Sequence, residues 1–286
     1  MSAEFDAAVF KKRRDRLANE MLDGVAILPS AAVCNRNGDV DHEYRQNSDF
    51  FYLTGFEEAG SLALIIKEGD KTQFILFVPK RDKDMEIWHG RRAGPEGAKN
   101  KYLADEAFTL QEIDAKVPVY LKNQLRAYVH LGSDTTFDQR VLGWINRVRG
   151  MRRTGVNAPT ELHDTAGIIH EMRLIKTEDD IKNMREAGRI SAEGHCAGMR
   201  ATRPGVNEYQ VKAAIEFEFR NQGSPRNGYP CIVAAGDNAN ILHYTENNME
   251  CKNGDLILVD AGGEYGMYTA DITRTWPVNG VFSEAQ

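Results

Sequence analysis

Two aspartates in the run LILVDAGGEYGMYTADITRTWPVNG, residues 256–280, carry the clearest chemical signal in the chain. Asp260 ends an apolar stretch, and Asp271 falls inside the next strand pattern. An acid in an otherwise apolar strand needs a counter-charge or a set of donors. If a hairpin turn is centred between Tyr265 and Gly266, with Gly266 supplying a positive φ, the two aspartates stand directly opposite one another, with Cβ atoms about 4.5–5.5 Å apart. Two unpaired carboxylates at that separation repel, so a cation is expected between them. Divalent ions about 3.5–4 Å apart, bridged and flanked by carboxylates, match the span. The alternative from spacing alone is an Asx-turn at Asp260 beside Gly262–Gly263, with Asp271 paired to Arg274. A bulge at those glycines would also shift the register.

Other chemistry is poorly supported. The chain has no GxxxxGK[ST] phosphate loop, no GxGxxG, no GxSxG elbow and no HExxH, which argues against kinases, Rossmann dehydrogenases, serine hydrolases of that type and zincins. His42, His89, His130, His163, His170 and His195 are scattered without i, i+4 pairs and read as structural or surface residues. Cys34, Cys196, Cys231 and Cys251 form no CxxC pair and are expected to be free, mostly buried thiols.

Two kinds of element must position the aspartates. Thr177 with Asp180, and Asn207 with Gln210, make capping boxes for a helix running to about Arg200 and for another ended by Gly223. Strand patterns follow at Tyr229–Ala235, Ile241–Thr245, Leu256–Gly262 and Met267–Trp276, as an antiparallel meander. Upstream, a helical pattern over Ala3–Leu22, a strand at Gly24–Leu28, a hairpin of Leu62–Ile66 and Gln73–Val78, helical patterns at 97–103, 110–121 and 137–148, and a strand at Ala127–Leu131 predict a mixed α/β domain. The shift in composition near Gly150–Pro159 sets an expected organisation of residues 1–157 as the first domain, 158–173 as a linker and 174–286 as the second domain.

The 286 residues, 42% hydrophobic and 27% charged, suffice for two cores. A net charge of −6 supplies no basic footprint for nucleic acid or an anionic membrane. No apolar run approaches the ~20 residues that span a bilayer, and acids in MSAEFDAAVF argue against a secretory signal, so a cytoplasmic location is expected.

A family resemblance then enters. The stretch from His170 to Gly280 resembles the first half of the pita-bread catalytic domain shared by aminopeptidase P, prolidase, methionine aminopeptidase and creatinase. RQNSDFFYLTGF (45–56) and FVPKRDKDMEIWHGRRAG (77–94) are similar to the amino-terminal domain of bacterial Xaa-Pro aminopeptidase. The resemblance implies an α/β (α+β) protein, a mixed-sheet amino-terminal domain followed by an incomplete pita-bread domain. It implies two divalent ions, manganese by expectation, with Asp260 a ligand of one and Asp271 bridging both. His243, in ILHYTENN (241–248), becomes the imidazole that faces substrate beside the metals. Tyr229 and Trp88 become candidates to approach the substrate, Trp88 from a neighbouring subunit, the alternative for each being a packed core aromatic.

The implied reaction is release of the N-terminal residue from peptides with proline in second position, by a homo-oligomer of two or four chains. Prolidase activity on Xaa-Pro dipeptides, and a non-catalytic oligomerising or peptide-binding module, are the alternatives. The family's catalytic domain also uses a histidine and two glutamates to which no residue here can be matched. The chain is therefore expected to be a fragment of the enzyme, inactive alone, with VFSEAQ (281–286) as the first turn of a helix capped by Ser283.

Overall fold

A computed structural model describes residues 5–286 and divides them into two units, Phe5–Ile175 and Lys176–Gln286. In the first, α1 (Ala7–Glu20) begins where the Asp6 carboxylate accepts from the Ala8 N–H, and leads to β1 (Gly24–Pro29). A small hairpin of β2 (Asn35–Asn37) and β3 (Val40–Asp41) and the helix α2 (Ser48–Thr54) precede β4 (Leu62–Glu68) and β5 (Lys71–Val78). Then come α3 (Lys83–His89), α4 (Gly94–Tyr102), β6 (Glu106–Thr109), α5 (Ile113–Tyr120), β7 (Arg126–Tyr128), α6 (Thr135–Arg149), β8 (Glu161–His163) and α7 (Thr165–Leu174).

These strands form one mixed sheet in the order β6-β5-β4-β1-β7-β8, antiparallel through β5, β4 and β1 and parallel at the other three pairings. Its strands are apolar on both faces because both faces are covered. Ala26 and Leu28 pack with Leu17 of α1 and Met172 of α7, while Val25 and Ile27 pack with Val117 of α5 and Trp144 of α6. Each buried valine, leucine, isoleucine or methionine among them contributes roughly 1.5–3 kcal/mol. The polar stretch 158–173, expected as a linker, instead supplies an edge strand of this sheet and a helix of its core, and the division falls between Ile175 and Lys176. Its backbone polarity is satisfied by pairing β8 to β7, which composition alone does not reveal.

The second unit opens with α8 (Glu178–Ala201) and α9 (Glu208–Asn221), both started by the expected capping boxes. The helices approach closely at Gly194, where a Cβ would meet the Phe219 ring at 2.2 Å. Beyond them, β9 (Ile232–Ala235), β10 (Leu256–Asp260) and β13 (Thr273–Pro277) form an antiparallel sheet in the order β13-β10-β9, and β11 (Glu264–Tyr265) pairs with β12 (Tyr268–Thr269). The core joins Ile190, Val211, Ile215 and Phe219 of the helices to Val233, Ile257, Val259 and Trp276 of the sheet.

The segment Ile241–Thr245 is not a strand. A short 3-10 turn spans Gly236–Asn240, and an irregular strap follows it to Asn248. The place beside β9 that a strand would fill is taken by two side chains: Asn247 Oδ1 accepts from the Val233 N–H at 2.7 Å, and Glu208 Oε1 accepts from the Ala235 N–H at 2.8 Å. All four cysteines are free, but only Cys231 and Cys251 are buried, and Cys34 and Cys196 are exposed. Burial pushes the Cys231 thiol up to about 12 and that of Cys251 to about 11.

Candidate functional site

The hairpin that carries the aspartates turns at Gly266 and Met267, with φ of +57° and +68°. Positive φ at both central residues marks the two-residue turn whose twist suits a hairpin. Met267 thus shares the left-handed conformation with Gly266, and Tyr265 pairs with Tyr268 instead of entering the turn. The turn lies one residue later than the spacing suggests, which moves each partner by two. Asp260 faces Thr273, not Asp271. Asp271 precedes Thr273 by two residues, so it remains on the same face as a diagonal neighbour at roughly 7–8 Å. It sits exposed in the irregular segment between β12 and β13, while Asp260 is half-buried. Neither carboxylate is enclosed in the core.

Tyr229 joins them. Its hydroxyl donates to Asp260 Oδ1 and lies 3.3 Å from Asp271 Oδ1. Burial, and then the bond to Asp260, push the phenol far above its usual range, so it stays protonated and remains a donor. The ring is aimed by backbone pairing of the preceding residues with the hairpin: the Gly228 N–H donates to the Gly262 carbonyl at 2.9 Å, and the Glu264 N–H to the Arg226 carbonyl at 3.0 Å. Gly262 has to be glycine, because a Cβ there would sit 1.7 Å from the Ala270 carbonyl oxygen.

One face of α8 holds the same hairpin from behind. His195 Nε2 donates to the Ala261 carbonyl at 3.0 Å, Ser191 Oγ accepts from the Gly263 N–H at 2.9 Å, and the Tyr268 hydroxyl donates to Asp180. The spacing of 180, 191 and 195 keeps all three on one stripe. Burial holds the His195 imidazole below its ordinary value, so it is neutral, and the bond to a carbonyl places its proton on Nε2. The sequence marked Asp180 as a cap and treated His195 as unremarkable; only the helical spacing of polar residues on an otherwise apolar face signals this stripe.

His243 lies in the exposed strap after the 3-10 turn, between an exposed Leu242 and a buried Tyr244, and makes no hydrogen bond to either aspartate among the described residues. Trp88 is on α3 of the other unit, 81% exposed, and so is not a packed core aromatic. Thus Asp260, Asp271 and Tyr229 are brought together, whereas among the described residues His243 is not hydrogen-bonded to them. Glu208 and Asn247, which hold the strap, were not singled out by sequence. An acid in the first turn of a helix reads as a dipole partner, and only the Asn247–Asn248 pair hints at a turn.

The donor set suits a hard divalent cation in kind. Both Oδ1 atoms lie within reach of one phenolic oxygen, so the carboxylates converge on a common point. It falls short in number: two carboxylates offer four oxygens, against six or so ligands for such an ion, and no group of three or more His, Cys, Asp or Glu side chains able to hold a metal occurs among the described residues. Asp260 and Asp271 fit as part of a metal shell.

A pair of helices backing a small antiparallel sheet, with converging carboxylates at the end of one strand and ahead of the next, defines the first half of a pita-bread metallohydrolase fold. Residues 182–286 match metallopeptidase family M24, and residues 10–130 match the aminopeptidase P N-terminal domain. The chain thus carries an aminopeptidase P amino-terminal domain followed by a segment that matches the M24 metallopeptidases. It is 40% identical to a Xaa-Pro aminopeptidase of Escherichia coli over 287 residues, which is 99% of this chain and 65% of that relative. Its structure superposes on that of Pseudomonas aeruginosa aminopeptidase PepP with a TM-score of 0.96 and 42% identity, covering 98% of this chain and 64% of that one. The zinc-substituted Escherichia coli aminopeptidase P in complex with product gives 0.97 and 39%, covering 99% and 65%. The chain therefore spans just under two thirds of the length of these relatives.

Proposed function

We propose that the protein is a metal-dependent aminopeptidase that releases the N-terminal residue from peptides with proline in second position. The observation that carries this reading is the convergence of Asp260 and Asp271 on the Tyr229 hydroxyl, in a chain whose likeness to Xaa-Pro aminopeptidases runs over nearly all its residues. Asp260 and Asp271 would hold a pair of divalent ions, with Asp271 shared between them. Carboxylate donors favour manganese or magnesium over softer-ligand metals, and manganese is the ion proposed. When bound, the ions supply a nucleophile from water at neutral pH and polarise the scissile carbonyl.

The protein's own groups do the rest. Tyr229 orients the Asp260 carboxylate by donating to it, and α8 fixes the backbone on either side of Gly262 through His195 and Ser191. His243, whose imidazole has no hydrogen-bond partner among the described residues, would donate to substrate. Trp88, exposed in the amino-terminal unit, is the candidate contributed across a subunit boundary, which makes the active protein homo-oligomeric, a dimer or tetramer. The partners are peptides, not nucleic acid. No helix among the described residues is long and apolar enough to cross a membrane, and free cysteines suit a cytoplasmic location.

With two metal-binding carboxylates among its described residues, the 286-residue chain by itself would hold ions weakly and sustain no turnover. The test compares three proteins with Mn2+ on Xaa-Pro-Xaa tripeptides and Xaa-Pro dipeptides: this chain, the Escherichia coli relative, and a hybrid in which this chain is continued by the part of that relative lying beyond the match. Chelator-sensitive tripeptide cleavage by the hybrid and none by the chain alone is expected. Cleavage of dipeptides only makes the protein a prolidase, and a hybrid with two bound ions and no peptidase activity overturns the reading.

A further inference from the structure

Glu208 is fully buried, yet among the described residues its carboxylate has no cationic partner in hydrogen-bond contact. Oε1 accepts from the Ala235 N–H at 2.8 Å and from Asn238 Nδ2 at 3.1 Å. Oε2 accepts from the Tyr244 hydroxyl at 2.8 Å and from the Met249 N–H at 2.9 Å. A carboxylate has about four lone-pair sites, and all are occupied. Burying an ionised carboxylate is costly unless donors replace its hydration, so a fully satisfied one in this place is a specific device, more than the helix N-terminus it occupies requires.

One of its four donors, Tyr244, lies in the strap, and the other three flank it on either side. Asn238 precedes His243 by five residues, Tyr244 follows it directly, Met249 closes the strap, and Ala235 is the last residue of β9. Burial, and then the bond to Glu208, push the Tyr244 phenol up, so that it remains the donor. Asn247, at φ +50°, completes the attachment by accepting from the Val233 N–H and donating to the Cys231 carbonyl at 3.0 Å. The imidazole of His243 is exposed and has no hydrogen-bond partner among the described residues, so its position is set through the neighbours on either side.

We propose that Glu208 is a positioning residue for His243, acting through the Tyr244 hydroxyl: it pins the strap to β9 so that the imidazole projects from a fixed backbone. The proposal rests on the substrate-facing role given to His243 above, and its test is made on the 286-residue chain, where that role is not needed.

The imidazole Hε1 resonance of His243, assigned by comparison with His243→Ala, reports its surroundings, and amide exchange reports the strap. Glu208→Gln is expected to speed exchange at Ala235 and Met249 by at least about tenfold while α8 and α9 remain protected, and to move the His243 signal towards its position in an unfolded peptide. Tyr244→Phe, which removes a single hydroxyl and conserves packing, is expected to move the same signal with little change at Ala235. Asn238→Ala removes a donor to the same carboxylate that is not joined to His243 and is expected to leave the signal in place. An unmoved His243 signal in Tyr244→Phe overturns the proposal, and so does an equal displacement in Asn238→Ala, which makes the effect a general loosening. Failure of the hybrid to cleave peptides would instead strike the functional reading and leave these measurements standing.

Discussion

Asp260, at the end of β10, and Asp271, in the irregular segment two residues ahead of its partner Thr273, share the hydroxyl of Tyr229. Such a pair is wider than a directly opposed one, and its two carboxylates meet only because a third group leans in from the segment ahead of β9. That arrangement makes the effect of each residue separable.

In the hybrid enzyme, Asp271→Asn should abolish binding of both ions, and Asp260→Asn should weaken chiefly one. Tyr229→Phe leaves both carboxylates and is expected to lower metal affinity by about 10–100-fold, the usual consequence of losing a group that orients a ligand. Metal content after dialysis, measured by atomic emission, checks all three. Two ions retained by Asp271→Asn, with normal turnover, would remove it from the metal shell.

His243→Ala should leave metal content unchanged and lower kcat/KM by roughly 10²-fold or more, as for a positioned hydrogen-bonding group. Loss of metal equal to that of the aspartate variants would make the imidazole a ligand.

Gly262→Ala drives a methyl to 1.7 Å from the Ala270 carbonyl, where backbone and not a flexible side chain must yield. The second unit should lose about 1–3 kcal/mol or more, and Tyr229 should lose its contact with Asp271. Gly143→Ala in α6, where an added methyl meets nothing, is the control and should gain about 0.5–1 kcal/mol. Urea unfolding compares the two, and equal midpoints would refute the tight approach.

Because burial holds His195 below its ordinary value, the folded unit binds fewer protons than the unfolded chain once the pH falls through about 6.5. Stability therefore declines with acid from that point down to the folded value and is level above it. His195→Gln keeps an N–H donor for Ala261 and has nothing to titrate, so amide protection of β10 should fall less between about pH 7 and 5 than in the parent. Parallel profiles would mean that the imidazole titrates as in water.

Local signals carried most of the fold. Glu68-Gly69-Asp70 between two apolar runs marked the β4–β5 hairpin, and both capping boxes marked the helices of the second unit, because each depends on residues within four positions of one another. The hairpin register escaped because a methionine, not a glycine, takes the second left-handed position of its turn. The strap at 241–248 escaped for a different reason: its apolar residues suit a strand, but the amides it would have paired with on β9 are claimed by Glu208, far upstream, and by Asn247. Of the site, the two aspartates were legible from their strand setting. Their meeting at Tyr229 depends on the pairing of residues 226–228 with 262–264, which no spacing in the chain announces.

The two side-chain bonds to Val233 and Ala235 also decide which way the second sheet can grow. An edge strand with idle amides is an invitation to any extended peptide, including another copy of the same chain. On β9 the outward amides are already engaged by a carboxylate and a carboxamide, groups that end a ladder because they offer no further donor–acceptor row. Strand addition is thereby closed at β9, so the sheet cannot be extended on that side.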